Sequence, residues 1–169
     1  MYSNDMTFEE VLKGAEAILQ GGGDASGVLL DVCRLLEDRV PHYDWVGFYI
    51  ADPKEKILQL GPYVGAPTDH VRIPFGRGIC GQAADMKRTF IVQDVTKEGN
   101  YLSCSSSVRS EIVLPIMDGM SVIGELDIDS HSISPFTEGD RELLERICSL
   151  CAPLVRSLRD GSRRPGVQV

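Results

Sequence analysis

Apolar residues recur at helical spacing near both ends of the chain and at strand spacing between them. Val11, Leu12, Ala15, Ile18 and Leu19 share one side of a predicted helix. Thr7 with Glu10 opens it as a capping box, and Gly21-Gly22-Gly23 closes it. A second helix is predicted after Asp24, carrying Val28, Leu29, Val32, Cys33, Leu35 and Leu36 on its apolar side and ending at Pro41. A third is capped by Thr137 to Asp140 and buries Leu143, Leu144, Ile147, Leu150 and Cys151.

Between these helices the pattern is that of short strands. Trp45-Val46-Gly47-Phe48-Tyr49-Ile50 turns at Asp52-Pro53-Lys54-Glu55 into Lys56-Ile57-Leu58-Gln59-Leu60. Val71-Arg72-Ile73-Pro74 and Phe90-Ile91-Val92 are shorter strands, and Gly76-Arg77-Gly78 opens a short helix between them. Glu111-Ile112-Val113-Leu114-Pro115-Ile116 pairs across an Asp118-Gly119 turn with Ser121-Val122-Ile123-Gly124-Glu125-Leu126-Asp127-Ile128-Asp129. Two helices, five or six strands and a final helix predict an α+β domain. In it a central antiparallel sheet carries the N- and C-terminal helices on one face. Residues 1–159 form the single domain, with a helical N-terminus over 7–40, a core over 41–158 and a flexible tail over 160–169.

The chain has 169 residues, 43% of them hydrophobic and 25% charged, which excludes a disordered chain. Its 17 basic against 25 acidic residues give −8, so a nucleic-acid surface is not expected. No apolar run reaches the roughly 20 residues that span a bilayer, and the N-terminus reads as no signal peptide, so neither a membrane partner nor export is expected. Five cysteines, an odd number unevenly spaced, read as reduced thiols of a cytoplasmic protein.

Two of those thiols could do chemistry. Cys104 lies in the polar stretch Tyr101-Leu102-Ser103-Cys104-Ser105-Ser106-Ser107, where a packing cysteine is out of place; the plainer reading is an incidental loop thiol. Cys80 follows the glycine turn at a helix start, where the dipole would lower its pKa; alternatively it fills a small space beside Gly78 and Gly81. Cys33 reads as core, and Cys148-x-x-Cys151 as helix packing rather than half a zinc site. Gly76-Arg77-Gly78 lacks the surroundings of a phosphate loop.

The acids say more. Alternation sends Asp127 and Asp129 to one face of a strand, and strands are depleted in Asp. Glu111 opens the partner strand and can point the same way. Converging carboxylates repel, so one should hold its proton unless a cation sits among them. An organic ammonium fits better than a metal, because His42, His70 and His131 have no ligand spacing; no metal or tightly bound cofactor is expected. The other reading is a solvated edge face. Trp45 and Tyr49, four apart on a strand, share a face and could wall a small pocket.

With those residues in hand, the chain resembles the GAF domains, and among them the free methionine-(R)-sulfoxide reductases. The resemblance covers residues 40–154. It rests on Asp44-Trp45-Val46-Gly47-Phe48-Tyr49, on Val71 to Gly81, on Cys104 with Ser110-Glu111-Ile112-Val113-Leu114-Pro115, and on Gly124-Glu125-Leu126-Asp127-Ile128-Asp129-Ser130. It implies reduction of the free amino acid sulfoxide through a cysteine thiolate and a sulfenic acid. Carried over by position, Cys104 matches the nucleophile and Cys80 a second pocket cysteine that could resolve it. Glu111, Asp127 and Asp129 match the substrate-binding and catalytic carboxylates, and Trp45 and Tyr49 the pocket aromatics. The family's third, recycling cysteine is here His70.

The resemblance also implies an external reductant, thioredoxin or a small thiol, and a homodimer by analogy with other GAF domains. The competing expectation, which His70 favours, is a non-catalytic GAF module that binds a small molecule or senses redox state.

Overall fold

A computed structural model describes residues 7–102 and 107–161 of the chain. Cys104 therefore lies outside the described residues, as do positions 162–169 of the expected tail. Along the chain come α1 (Phe8–Gln20), α2 (Ala25–Arg39), β1 (Trp45–Asp52), β2 (Ile57–Val64) and β3 (Arg72–Pro74). Then follow α3 (Gly78–Met86), β4 (Phe90–Val92), β5 (Ser110–Asp118), β6 (Ser121–Ser130) and α4 (Glu138–Gly161).

The helix starts follow their caps. Thr7 and Glu10 bond reciprocally at the head of α1, and the Asp24 side chain accepts from the Gly27 N–H at the head of α2. At the head of α4, Asp140 accepts from both the N–H and the hydroxyl of Thr137. The same buried carboxylate accepts from the Tyr43 hydroxyl at 2.6 Å and meets His42 Nε2 at 2.7 Å, tying the last helix to the segment entering β1. Asp140 is held below the ordinary carboxylate range, because these hydrogen bonds outweigh the cost of its burial. The last helix runs through Gly161, so residues 160 and 161, expected in the tail, are helical.

The six described strands form one antiparallel sheet in the order β3-β2-β1-β6-β5-β4. The β5–β6 hairpin turns on Gly119 and Met120, and Gly119 has the positive φ of 62° that a tight hairpin asks of its first central residue. α1, α2 and α4 cover one face, where Val11, Leu29, Leu36, Phe48, Leu126 and Ile147 are buried together. Each such side chain removed from water stabilises the fold by roughly 1.5–3 kcal/mol. The terminal helices thus pack where the pattern puts them. α3 does not join them. It lies across the other face with Trp45, Tyr49, Leu58, Ile73 and Val113, and this second, thinner layer holds the site.

One irregularity decides what faces that layer. Ile116 pairs with Gly124 but Met117 with Val122, which leaves Ile123 as an extra residue in β6. The bulge shifts the alternation by one, so Ile123, Leu126 and Ile128 all join the helix-side core. Glu125, Asp127 and Asp129 are left on the α3 side. Among the described residues no helix is long and apolar enough to cross a membrane.

Candidate active site

β6 is an inner strand, flanked by β1 and β5, so its acids are not on a solvated edge. Asp127 is 2% exposed, Asp129 1% and Glu125 0%, while Glu111 on β5, at 5%, stands directly opposite Asp129 in the register. The Cys80 sulfur, in the first turn of α3, comes down onto this row and lies 3.7 Å from Glu111 Oε1. One ligand atom each from Cys80, Glu111 and Asp127 falls within 4.8 Å of the others. A small cation fits that spacing, but the trio has no histidine, and a primary ammonium meets the same oxygens with three N–H donors. We assign no metal ligands here.

A cavity opens over these groups. Tyr49, His70, Arg77, Cys80, Glu111 and Asp127 line it. The Tyr49 hydroxyl donates to the His70 carbonyl at 2.9 Å, which pins the ring and brings His70 to the cavity wall. Trp45 lies on the same face but borders an adjoining cavity of about 90 Å³ with Asp44, Asp129 and His131. Its indole stacks on Tyr63 at 5.3 Å between ring centroids and donates to the Ala66 carbonyl. Gly47 makes that pose possible, since a Cβ there would stand 2.4 Å from the indole ring. The two aromatics therefore line separate cavities on the acid face rather than walling one hole. Leu102 and Ser107, at the described ends of the Cys104 segment, line one cavity each.

Burial rather than the helix dipole sets the protonation of this site. The Cys80 thiol is pushed well above its ordinary range, by burial first and then by Asp127, Glu111, Glu125 and Asp129. The sequence expectation of a lowered pKa fails because four acids face the sulfur, and the dipole is worth only about 0.3–1 kcal/mol. Asp129 and Glu125 are both raised well above the carboxylate range, by burial and then by Asp127. Asp127 is also raised by burial, but hydrogen bonds with Glu111 and Cys80 and the proximity of His70 oppose the shift. All three carboxyls are thus shifted toward the protonated form, Asp127 against the most opposing interactions. Among the described residues, Asp127 Oδ1, Asp129 Oδ2 and both Glu125 oxygens are buried with no hydrogen-bond partner.

Glu125 was not singled out in the sequence, although the spacing that groups Asp127 with Asp129 includes it. Its protonation gives a measurable signature. Folded acids that stay protonated while unfolded ones ionise make the folded state bind more protons, so stability falls as pH rises through the gap. The slope reaches about 1.4 kcal/mol per pH unit for each proton retained. Urea unfolding of the free protein from pH 5 to 8 should show this decline. Glu125→Gln should flatten it and be the more stable protein at pH 8.

Cys33, Cys148 and Cys151 are buried with raised pKa values, burial being the main cause for each, as packing thiols should be.

A curled antiparallel sheet with an acid-floored cavity beneath a short helix is the layout of a small-molecule-binding domain, and comparison with known proteins defines the class. A sequence profile of the GAF domain matches residues 24–156. The free methionine-R-sulfoxide reductase of Saccharomyces cerevisiae is 34% identical over 162 residues, covering 88% of each chain. That of Escherichia coli is 32% identical over 140 residues, covering 83% of each. Among solved structures, the free methionine-R-sulfoxide reductase of Neisseria meningitidis, in complex with its substrate, superposes with a TM-score of 0.83 at 34% identity, covering 91% of each chain. The type II enzyme of Thermoplasma acidophilum does so with a TM-score of 0.75 at 36% identity, covering 83% of this chain and 96% of that one. The chain belongs to the GAF domain family and, within it, to the free methionine-R-sulfoxide reductases, which are oxidoreductases.

Proposed function

We propose that this protein reduces free L-methionine (R)-sulfoxide to methionine. The observation that carries the reading is the row of buried acid oxygens on Asp127 and Asp129, unpartnered among the described residues, beside the Cys80 cavity. Asp127, whose rise is opposed by Glu111, Cys80 and His70, pairs with the substrate ammonium, with Glu111 beside it. Asp129, whose carboxyl is pushed well above the ordinary carboxylate range by burial and then by Asp127, donates a proton to the sulfoxide oxygen, which leaves sulfur readily only when protonated. Glu111, opposite Asp129 in the register, is the alternative donor. Trp45 and Tyr49 hold the S-methyl end.

The nucleophile is Cys104, on the family resemblance. Its thiolate, the sulfoxide and one acid proton yield methionine and a cysteine sulfenic acid, leaving the acid as carboxylate. A second thiol then condenses with the sulfenic acid and releases water. Cys80 is our first choice for that thiol. It has no standing thiolate, so its proton must pass on attack to Glu111, 3.7 Å from the sulfur. Thioredoxin would reduce the resulting disulfide in the cytoplasm. A small external thiol acting directly on Cys104 is the second route, and His70 in place of the recycling cysteine favours it. Cys80→Ser separates the two: unchanged turnover with thioredoxin rejects the disulfide route.

An assay of both sulfoxide epimers with dithiothreitol tests the activity itself. The R-epimer of the free amino acid should be reduced, and the S-epimer spared by at least about tenfold. No reduction of either epimer would leave a GAF module that binds without catalysis, and equal rates would contradict the R-selectivity of the reading.

A further inference from the structure

Of the four acids that face the Cys80 sulfur, the mechanism above uses three. The fourth, Glu125, is fully buried two residues before Asp127 on the same face of β6. Both its oxygens lack a hydrogen-bond partner among the described residues, and it lines neither cavity of the site. A carboxyl kept there is costly to the fold and out of the substrate's reach. Its reactive neighbour is the Cys80 thiol. That thiol draws the Glu125 carboxyl back toward its ionised form, while burial and Asp127 push it well above the carboxylate range.

The disulfide route above meets a difficulty at Cys80. To close the cycle, an external thiolate must break the Cys80–Cys104 bond. Cys80 is 5% exposed, so the attack falls on the Cys104 sulfur and Cys80 is the leaving group. A thiol leaves faster the lower its pKa. Cys80, buried and faced by four acids, is therefore a poor leaving group unless a proton meets its sulfur as the bond breaks. Glu111 and Asp127 open on the cavity, where the substrate engages them. Glu125 holds its acid group beside the sulfur and away from that cavity.

We propose that Glu125 is the proton donor to Cys80 when the disulfide is reduced, a second general acid that serves recycling and not sulfoxide reduction. The external thiolate bonds to Cys104 Sγ and the S–S bond breaks. Its electron pair goes to Cys80 Sγ, which takes the Glu125 proton. The products are a mixed disulfide on Cys104, a Cys80 thiol and a Glu125 carboxylate. The second thiol of a dithiol reductant then loses its proton to solvent and attacks the reductant's own sulfur, which frees Cys104 as thiolate. Glu125 regains a proton from solvent. Over one cycle Cys80 gives its proton to Glu111 on attack and receives one from Glu125 on release.

The test separates the two halves of the cycle. Full-length wild type, Glu125→Gln and Glu125→Asp each receive one equivalent of free methionine (R)-sulfoxide without reductant, and methionine release is timed. The oxidised proteins are then reduced with dithiothreitol between pH 6 and 9, with alkylation and mass reporting the thiols regained. Methionine release should be alike in all three. Reduction of Glu125→Gln should be slower by about 10²-fold at pH 7, the usual worth of a general acid, and Glu125→Asp should recover part of the rate. Corrected for the thiolate fraction of dithiothreitol, the wild-type rate should fall toward that of Glu125→Gln as pH rises and Glu125 loses its proton, while the glutamine variant stays flat. A Glu125→Gln protein reduced at the wild-type rate, or faster because a charge has left the sulfur, would overturn the proposal. So would equal slowing of methionine release, which marks a structural residue. The role rests on the Cys80 route: wild type that releases methionine but forms no Cys80–Cys104 disulfide overturns both, whereas wild type that releases none fails at the activity itself, and this role with it.

Discussion

A Cys104→Ser protein given one equivalent of free methionine (R)-sulfoxide should release no methionine in a single turnover. The loss should be on the order of 10⁴-fold or more, as for other enzymes deprived of their nucleophile. A serine hydroxyl has far too high a pKa to stand as an anion without a dedicated base. An alkoxide on sulfur would also give no sulfenic acid for a thiol to reduce. Serine differs from cysteine by one atom, so folding and substrate binding should persist. Substrate should therefore still raise the thermal midpoint of the variant, which shows that the chemistry and not the pocket was removed. Methionine release at more than a few per cent of the wild-type rate would move the nucleophile to another residue.

The second large effect is expected at Asp129, the proposed proton donor. Asp129→Asn preserves shape but has no proton to lend. It should lower kcat by roughly 10²–10⁴-fold, the usual worth of a general acid, with a much smaller change in KM. The same substitution should stabilise the free protein at neutral pH, because it ends the competition between Asp129 and Asp127 for one buried site. Stability and activity moving in opposite directions is a signature that mere damage cannot produce. The wild-type pH profile should agree: kcat should fall on the alkaline side as Asp129 loses its proton above its raised pKa, and that limb should be missing from the variant. An Asp129→Asn enzyme within threefold of wild type would hand the donor role to Glu111.

The fold was legible wherever a local rule had no competitor. Thr7 with Glu10, Asp24, and Thr137 with Asp140 mark helix starts by hydrogen bonds that the next three residues complete, and all three caps form. The Asp118-Gly119 turn fixes the β5–β6 hairpin for the same reason. What could not be read is what depends on distant partners. The short helix after Gly78 looks alike from either side of the sheet in sequence. Its packing against Trp45, Tyr49 and Val113 is a tertiary fact. So is the sign of the Cys80 shift: a helix start was visible, but not the convergence of Glu111 and Asp127, 31 and 47 positions further along, beneath the sulfur. The face that Glu125 occupies is hidden for a subtler reason. A strict alternation begun at Ser121 puts it on the face of Ser121 and Ile123, and only the bulge at Ile123 separates it from that isoleucine.

The most direct measurement is kcat/KM for free methionine (R)-sulfoxide against its N-acetyl derivative, in wild type and in Asp127→Asn. Acetylation removes the positive charge and nothing else near the sulfur. Wild type should prefer the free amino acid by at least about 10²-fold, since a buried carboxylate left without its partner is costly. Asp127→Asn should lose most of that preference, chiefly by losing activity on the free form. A wild-type enzyme that handles both substrates alike would contradict recognition by buried negative charge.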